Sequence, residues 1–279
     1  VRRRLRTQVA VTVARIPHPL AVSLGLFTTI PMPSVATIDR RLAGRAMAWF
    51  PVVGLVLGLL AGGVAWGVGA LGGPLLGAVL GLATLAALTG ALHLDGVADT
   101  ADGLGSRAPA ARALEIMRRS DIGPMGVVTL LFVLLADVAA ISRIMTTASL
   151  VAGPVALALA VVAGRVAVLS STTSANGGAR TEGFGALFHG VTSTAMAVGG
   201  CVAALAVAVA AGWGVAGAGG ATVFFVAGAL ALVVGWVWRR YLARRLGGLT
   251  GDTFGSIIEV TQVVFLVTAA VGFGVVSIF

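Results

Sequence analysis

The chain has 279 residues, of which 58% are hydrophobic and only 10% charged, with a mean hydropathy of +1.04. That excludes an ordinary soluble domain and leaves an all-α, polytopic membrane bundle. The net charge of +9 comes from nineteen arginines at the ends of apolar segments, which fits bilayer orientation and anionic headgroups rather than nucleic acid; the single Cys201 allows no internal disulfide.

Residues 1–19 form a basic extension carrying Arg2, Arg3, Arg4, Arg6 and Arg15, interrupted by Pro17 and Pro19, and they do not read as a secretory signal. Leu20–Ile30 is too short to span and is expected to be interfacial or re-entrant. Residues 20–279 then read as one membrane domain. Seven spanning helices are predicted, near 46–70, 74–94, 122–142, 148–170, 191–211, 219–238 and 256–279. Gly54, Gly58, Gly62 and Gly63 allow close helix packing in the first of them. Eight arginines lie in residues 1–45, four in 95–121 and four in 239–255, whereas the opposite turns carry only Arg143. The positive-inside rule puts the N-terminus and the loops at 95–121, 171–190 and 239–255 in the cytoplasm and the C-terminus outside, in a multi-pass cytoplasmic (inner) membrane protein.

The polar residues gather in those same loops. Asp95, Asp99 and Asp102 fall within eight residues of a chain that has only ten acids. Their i, i+4, i+7 spacing shares one helical face. Converging carboxylates beside hydrocarbon need relief, and all-oxygen ligands favour one or two Mg²⁺ ions, with Mn²⁺ possible, over zinc. Helix-capping aspartates in a solvated loop are the alternative, since Asp95-Gly96 and Asp102-Gly103 suit turns. His93 suits a hydrogen-bonding role better than ligation of a hard cation.

Residues 108–119 read as an amphipathic surface helix. At its C-terminal end, Arg118, Arg119 and Ser120 are candidate phosphate contacts, the arginines through bidentate pairing; contact with headgroups is the plainer reading. Asp137 and Arg143 read as a helix-end pair, and Arg165, inside an apolar run, requires an acidic or phosphate partner. The polar loop around Arg180 supplies a further phosphate-binding candidate. Gly247–Gly255 contains Thr250, Gly251 and Asp252 at a helix entrance able to face phosphate, without the lysine of a Walker motif. Glu259 follows Asp252 by seven residues and lies within the last apolar segment, where an acid implies a role.

Five stretches together resemble the cobalamin synthase (adenosylcobinamide-GDP ribazoletransferase) family. They are His93-Leu-Asp-Gly-Val-Ala-Asp-Thr-Ala-Asp-Gly-Leu104, Phe27-Thr-Thr-Ile-Pro-Met-Pro33, Phe50-Pro-Val-Val-Gly54, Glu115-Ile-Met-Arg-Arg-Ser-Asp-Ile-Gly123, and Gly248-Leu-Thr-Gly-Asp-Thr-Phe-Gly255 with Glu259. The resemblance covers residues 20–279 and rests on the triple-Asp and Thr-Gly-Asp motifs occurring together. It implies a Mg²⁺-dependent membrane enzyme that joins the corrinoid nucleotide adenosylcobinamide-GDP to α-ribazole or its 5′-phosphate and releases GMP, late in vitamin B12 synthesis. The implied metal ligands are Asp95, Asp99 and Asp102, with Asp252 and Glu259 as further catalytic candidates. A homo-oligomer is compatible with it. Thr29 stands where the family often has arginine, and Gln262 where some relatives have a second acid. The other readings are a phosphotransferase of CDP-alcohol type, whose Asp-Gly-x-x-Ala-Arg start fails here because Asp99 follows Ala98, and an ion-coupled transporter, which would place polar groups nearer the bilayer midplane.

Overall fold

The computed structural model describes residues 18–33, 35, 37–173, 178–179 and 184–277. Ten helices make up its regular structure: α1 (Pro19–Phe27), α2 (Arg40–Gly72), α3 (Pro74–Thr89), α4 (Leu92–Gly105), α5 (Ala110–Ile116), α6 (Pro124–Thr147), α7 (Ala152–Ser171), α8 (Phe184–Leu187), α9 (Thr194–Leu246) and α10 (Gly251–Val276). Among the described residues there are only isolated β-bridges, as expected for an all-α bundle.

Five helices, α2, α6, α7, α9 and α10, are long and apolar enough to cross a bilayer, and α3 with α4, bent by 90°, adds a sixth if the pair is counted as one broken span. A seventh comes from α9, because its 53 residues do not run straight. Ala216 and Gly217 leave helical geometry, Gly217 at φ +57°. Backbone of Gly212 packs directly on backbone of Gly220 and Ala221, so the two limbs fold back on each other. In a straight helix those positions would lie roughly 12 Å apart. The expected helices at 191–211 and 219–238 are thus an antiparallel pair joined by a minimal turn.

The core is α7, rich in alanine and valine and buried on nearly every side. It packs against α2, α6, α9 and α10. Small residues set the α2 contact: a Cβ on Gly58 would lie 2.7 Å from Ala158 Cα, and one on Gly62 would lie 2.8 Å from the Pro154 carbonyl oxygen. Such close backbone approach lets dispersion forces act where lipid gives no hydrophobic drive. Gly63 faces open space and takes no part.

The predicted 74–94 span differs in one respect that matters for function. It breaks at Gly90 and Ala91, both left-handed, and α4 leaves α3 at 90°. The apolar pattern continues through Leu94, so hydropathy does not register the turn. Thr29 holds it: its backbone N–H donates to the Leu88 carbonyl at 2.8 Å and its hydroxyl to that of Ala87 at 3.0 Å. Thr29 therefore caps α3. The Leu20–Ile30 stretch is the short helix α1, packed on α2. The surface helix predicted over 108–119 is shorter, α5, with Ala113 and Met117 buried.

The loops meet at one end of the bundle. Ala179 N–H donates to the Leu249 carbonyl at 3.1 Å, Arg245 to that of Ala108 at 2.5 Å, and Arg40 to that of His189. Burial and the neighbouring Arg40 hold the His189 imidazole below its usual pKa. Arg180 and residues 1–17 lie outside the described residues.

Candidate active site

At that same end α4, α6 and α10 all begin or dock, and each receives an aspartate. Helix starts expose free N–H groups and a partial positive charge, which favour carboxylates. Asp95 lies in the first turn of α4 and Asp252 in the first turn of α10. Asp102 serves a different helix from its own. One of its oxygens accepts from Gly123 N–H at 2.6 Å, the other from Gly126 N–H at 2.8 Å. The start of α6, Gly123-Pro124, has no side-chain cap from its own sequence, and Asp102 supplies one from α4. Asp102→Ala leaves those amides without an acceptor and is expected to destabilise the protein by about 1–3 kcal/mol; the fall in thermal midpoint in detergent checks it.

α4 and α10 touch through glycines. A Cβ on Gly96 would lie 2.5 Å from the Asp252 carbonyl oxygen, and one on Gly255 would lie 3.0 Å from that of His93. This contact brings Asp252 beside the Asp95–Asp99 turn. The entrance to α10 is rigid: Thr250 accepts from Thr253 N–H at 3.3 Å, its own N–H donates to the Thr253 hydroxyl at 2.8 Å, and its hydroxyl donates to Asp252 Oδ2 at 3.3 Å. Thr250 is thus fixed as a cap and is buried, while Gly251 borders open space.

That space is a cleft beside the contact of α4 with α10. Asp95, Asp252 and Gly251 form its polar part, and Phe27, Phe50 and Phe188 are among its apolar walls. Among the described residues, no three Asp, Glu, His or Cys side chains converge as a complete metal cage. Asp95 and Asp252 nevertheless supply the donor set Mg²⁺ uses, since that ion takes one or two carboxylates and completes its shell with water and substrate phosphates. Asp99 is half-buried on the same face of α4. Arg118, Arg119 and Ser120 are exposed just before the docked start of α6 and are not among the cleft's walls.

Glu259 is not in the cleft. It is buried behind it in a polar chain that spacing within the sequence does not reveal. Arg165, fully buried, donates to His93 Nδ1 at 3.2 Å; Glu259 Oε1 lies 3.9 Å from that same nitrogen. Gln262 donates to Glu259 at 3.2 Å and approaches Asp137 at 3.4 Å. Arg165 therefore finds its polar partner in His93, with an acid one step beyond. Asp137 turns to Gln262 instead of Arg143, because six residues along a helix put two side chains on different faces. With Gln262 replaced by an acid, three carboxylates would crowd one buried site, so glutamine at this position relieves repulsion. The sequence signal for this network was the presence of lone charges in apolar runs.

Comparison with known proteins identifies the family. The family model described as cobalamin-5-phosphate synthase matches residues 19–270. An adenosylcobinamide-GDP ribazoletransferase of Frankia casuarinae is 42% identical over 88% of this chain and 91% of its own. Proteins of the same name from Stutzerimonas stutzeri and Citrobacter koseri are 37% and 36% identical, over 92% and 91% of this chain and 99% and 94% of theirs. No solved structure matches the chain. With aspartates from two helices meeting at one cleft and a family match across nearly the whole membrane domain, this chain belongs to the cobalamin-5-phosphate synthase family, a family of transferases.

Proposed function

We propose that this protein joins adenosylcobinamide-GDP to α-ribazole, or to α-ribazole 5′-phosphate, giving adenosylcobalamin or its 5′-phosphate and GMP. The relatives' shared name supports the substrates. The observation that carries the chemistry is the convergence of Asp95 and Asp252 on one cleft beside two helix N-termini. The ribazole 3′-hydroxyl oxygen attacks the phosphorus attached to cobinamide. The bond from that phosphorus to the GMP oxygen breaks, and the hydroxyl proton leaves to a carboxylate. Asp102 holds α6 with both oxygens bonded to amides and keeps a lone pair on each for a shared cation. Asp95, Asp99 and Asp252 are the carboxylates proposed to orient the hydroxyl and take its proton. Asp95 and Asp252 would hold Mg²⁺ together with the pyrophosphate; charge building on the leaving phosphate is what a bound Mg²⁺ offsets. Glu259 acts from behind, through His93. Arg118, Arg119 and Arg180 are the proposed phosphate clamps, with Ser120 as a lesser donor.

The arginine-rich loops lie at the cleft end, which supports a cytoplasmic active site, a cytoplasmic N-terminus and an outer C-terminus in the inner membrane. The test is a reconstituted assay in lipid nanodiscs with adenosylcobinamide-GDP, either ribazole form and Mg²⁺, read by mass spectrometry. A complete corrinoid and stoichiometric GMP are expected. Well-folded protein that makes neither would overturn the reading in favour of another membrane phosphotransferase or a transporter.

A further inference from the structure

The inner wall of the cleft is chemically unusual for a site that serves charged substrates. Phe27 and Phe50 have ring centroids 4.3 Å apart, Phe27 and Phe188 5.5 Å, and all three rings are buried. Met47, Val168 and Ile258 continue the surface. Among all the lining residues only His93 carries a side-chain hydrogen-bond donor. Its state follows from its neighbour. Arginine donates and never accepts, so the Arg165 contact requires His93 Nδ1 to be the acceptor. The ring proton is then on Nε2. That Nε2 is buried and has no partner among the described residues.

We infer that this inner wall is the seat of the ribazole's benzimidazole base, with His93 Nε2–H donating to the base's free ring nitrogen. The inference rests on the reading under Proposed function. A dimethylbenzimidazole is a flat apolar bicycle with one acceptor nitrogen, and the wall offers apolar rings with one unused donor. Aromatic rings stack favourably in such surroundings. The guanine of the other substrate fits worse. It carries two acceptors and an amino donor along its edges, and burying those groups without partners costs several kcal/mol. Seating the base inward leaves the attached ribose at the Asp95 and Asp252 mouth, where its hydroxyl must react. His93 is in this account a specificity residue, positioned by Arg165.

The experiment measures equilibrium binding to the full chain in nanodiscs, by calorimetry, of α-ribazole and of the matched nucleoside with an indole base, in which carbon replaces the free nitrogen. Wild-type protein is expected to bind α-ribazole about tenfold more tightly, the worth of one buried hydrogen bond. His93→Phe keeps a ring and removes the donor, so it should bind the two nucleosides equally. Phe188→Leu leaves His93 and Arg165 in place; it should weaken both nucleosides together and preserve their ratio. Equal wild-type affinities, or a ratio that survives in folded His93→Phe, would overturn the donor assignment. Unchanged binding in Phe188→Leu would overturn the placement in this cleft, and both results need no catalysis. Product formation in parallel separates the cases: turnover without discrimination defeats this inference alone, whereas neither turnover nor ribazole binding defeats the functional reading and this one with it.

Discussion

Asp252→Asn is expected to lower turnover about 10²–10³-fold, the scale on which enzymes lose activity when one transition-state charge contact is removed, while the protein still inserts and purifies folded. Asparagine keeps the shape of the side chain and still accepts from the Thr250 hydroxyl, so the capping box of α10 stays closed. What is lost is negative charge at the cleft mouth. Asp95→Asn should produce a similar loss by the same route, since both side chains border one cleft. Because the two carboxylates act on the same phosphates, the double variant should be little worse than either single one. Steady-state rates of corrinoid formation, with circular dichroism and size-exclusion profiles as folding checks, decide the matter. A double variant with losses that multiply would mean that the two acids work independently, and full activity in Asp252→Asn would remove it from the chemistry.

Gly96→Val is expected to abolish measurable activity and to lower stability as well. The Asp252 carbonyl oxygen occupies the space a side chain at position 96 would need, and Asp252 Cα lies 3.2 Å from the first added carbon. Both obstacles are backbone within a capped helix, so neither yields as a flexible side chain would. The only relief is to move α4 away from α10, which separates Asp95 from Asp252. A displacement of about 1 Å at a catalytic group costs on the order of 10²-fold in rate, and overpacking adds about 1–3 kcal/mol of destabilisation. Gly63→Val in α2 is the matched control: nothing lies within 4 Å of a Cβ there, so its turnover should stay near wild type. Thermal unfolding and turnover of the two variants, measured side by side, distinguish a helix-crossing effect from the general burden of valine.

Much of this was legible in the amino-acid sequence. The apolar segments gave the spans to within several residues, because length and hydropathy are enough to identify a membrane helix. The i, i+4, i+7 spacing of Asp95, Asp99 and Asp102 anticipated a shared helical face, and α4 is helical. The same spacing said nothing of what that face meets. It did not separate Asp102, which caps α6, from Asp95, which faces the cleft, because that depends on where another helix begins. The pairing of Gly96 with Asp252 was equally hidden, since 156 residues separate them in the chain. The buried chain from Arg165 to Asp137 was half visible. A charge in an apolar run announces that it needs a partner, but nearness in sequence pointed Asp137 to Arg143, and the fold gives it Gln262.

The right-angle turn after α3 has a consequence for the lipid. α3 has sixteen residues, so it rises roughly 24 Å, against a hydrocarbon thickness of about 30 Å. A column of the bundle thus stops short of one leaflet's surface, and α4 lies across the gap with His93 and Asp95 at its near end. Carboxylates favour water over acyl chains, so a leaflet meeting this end of the bundle would be expected to thin or admit water there. The proposed transfer site would then sit below the level of the headgroups. A substrate docking there would settle partly into the thickness of the membrane, which would give a nucleotide transfer a mechanical reason to be carried out by an integral membrane protein.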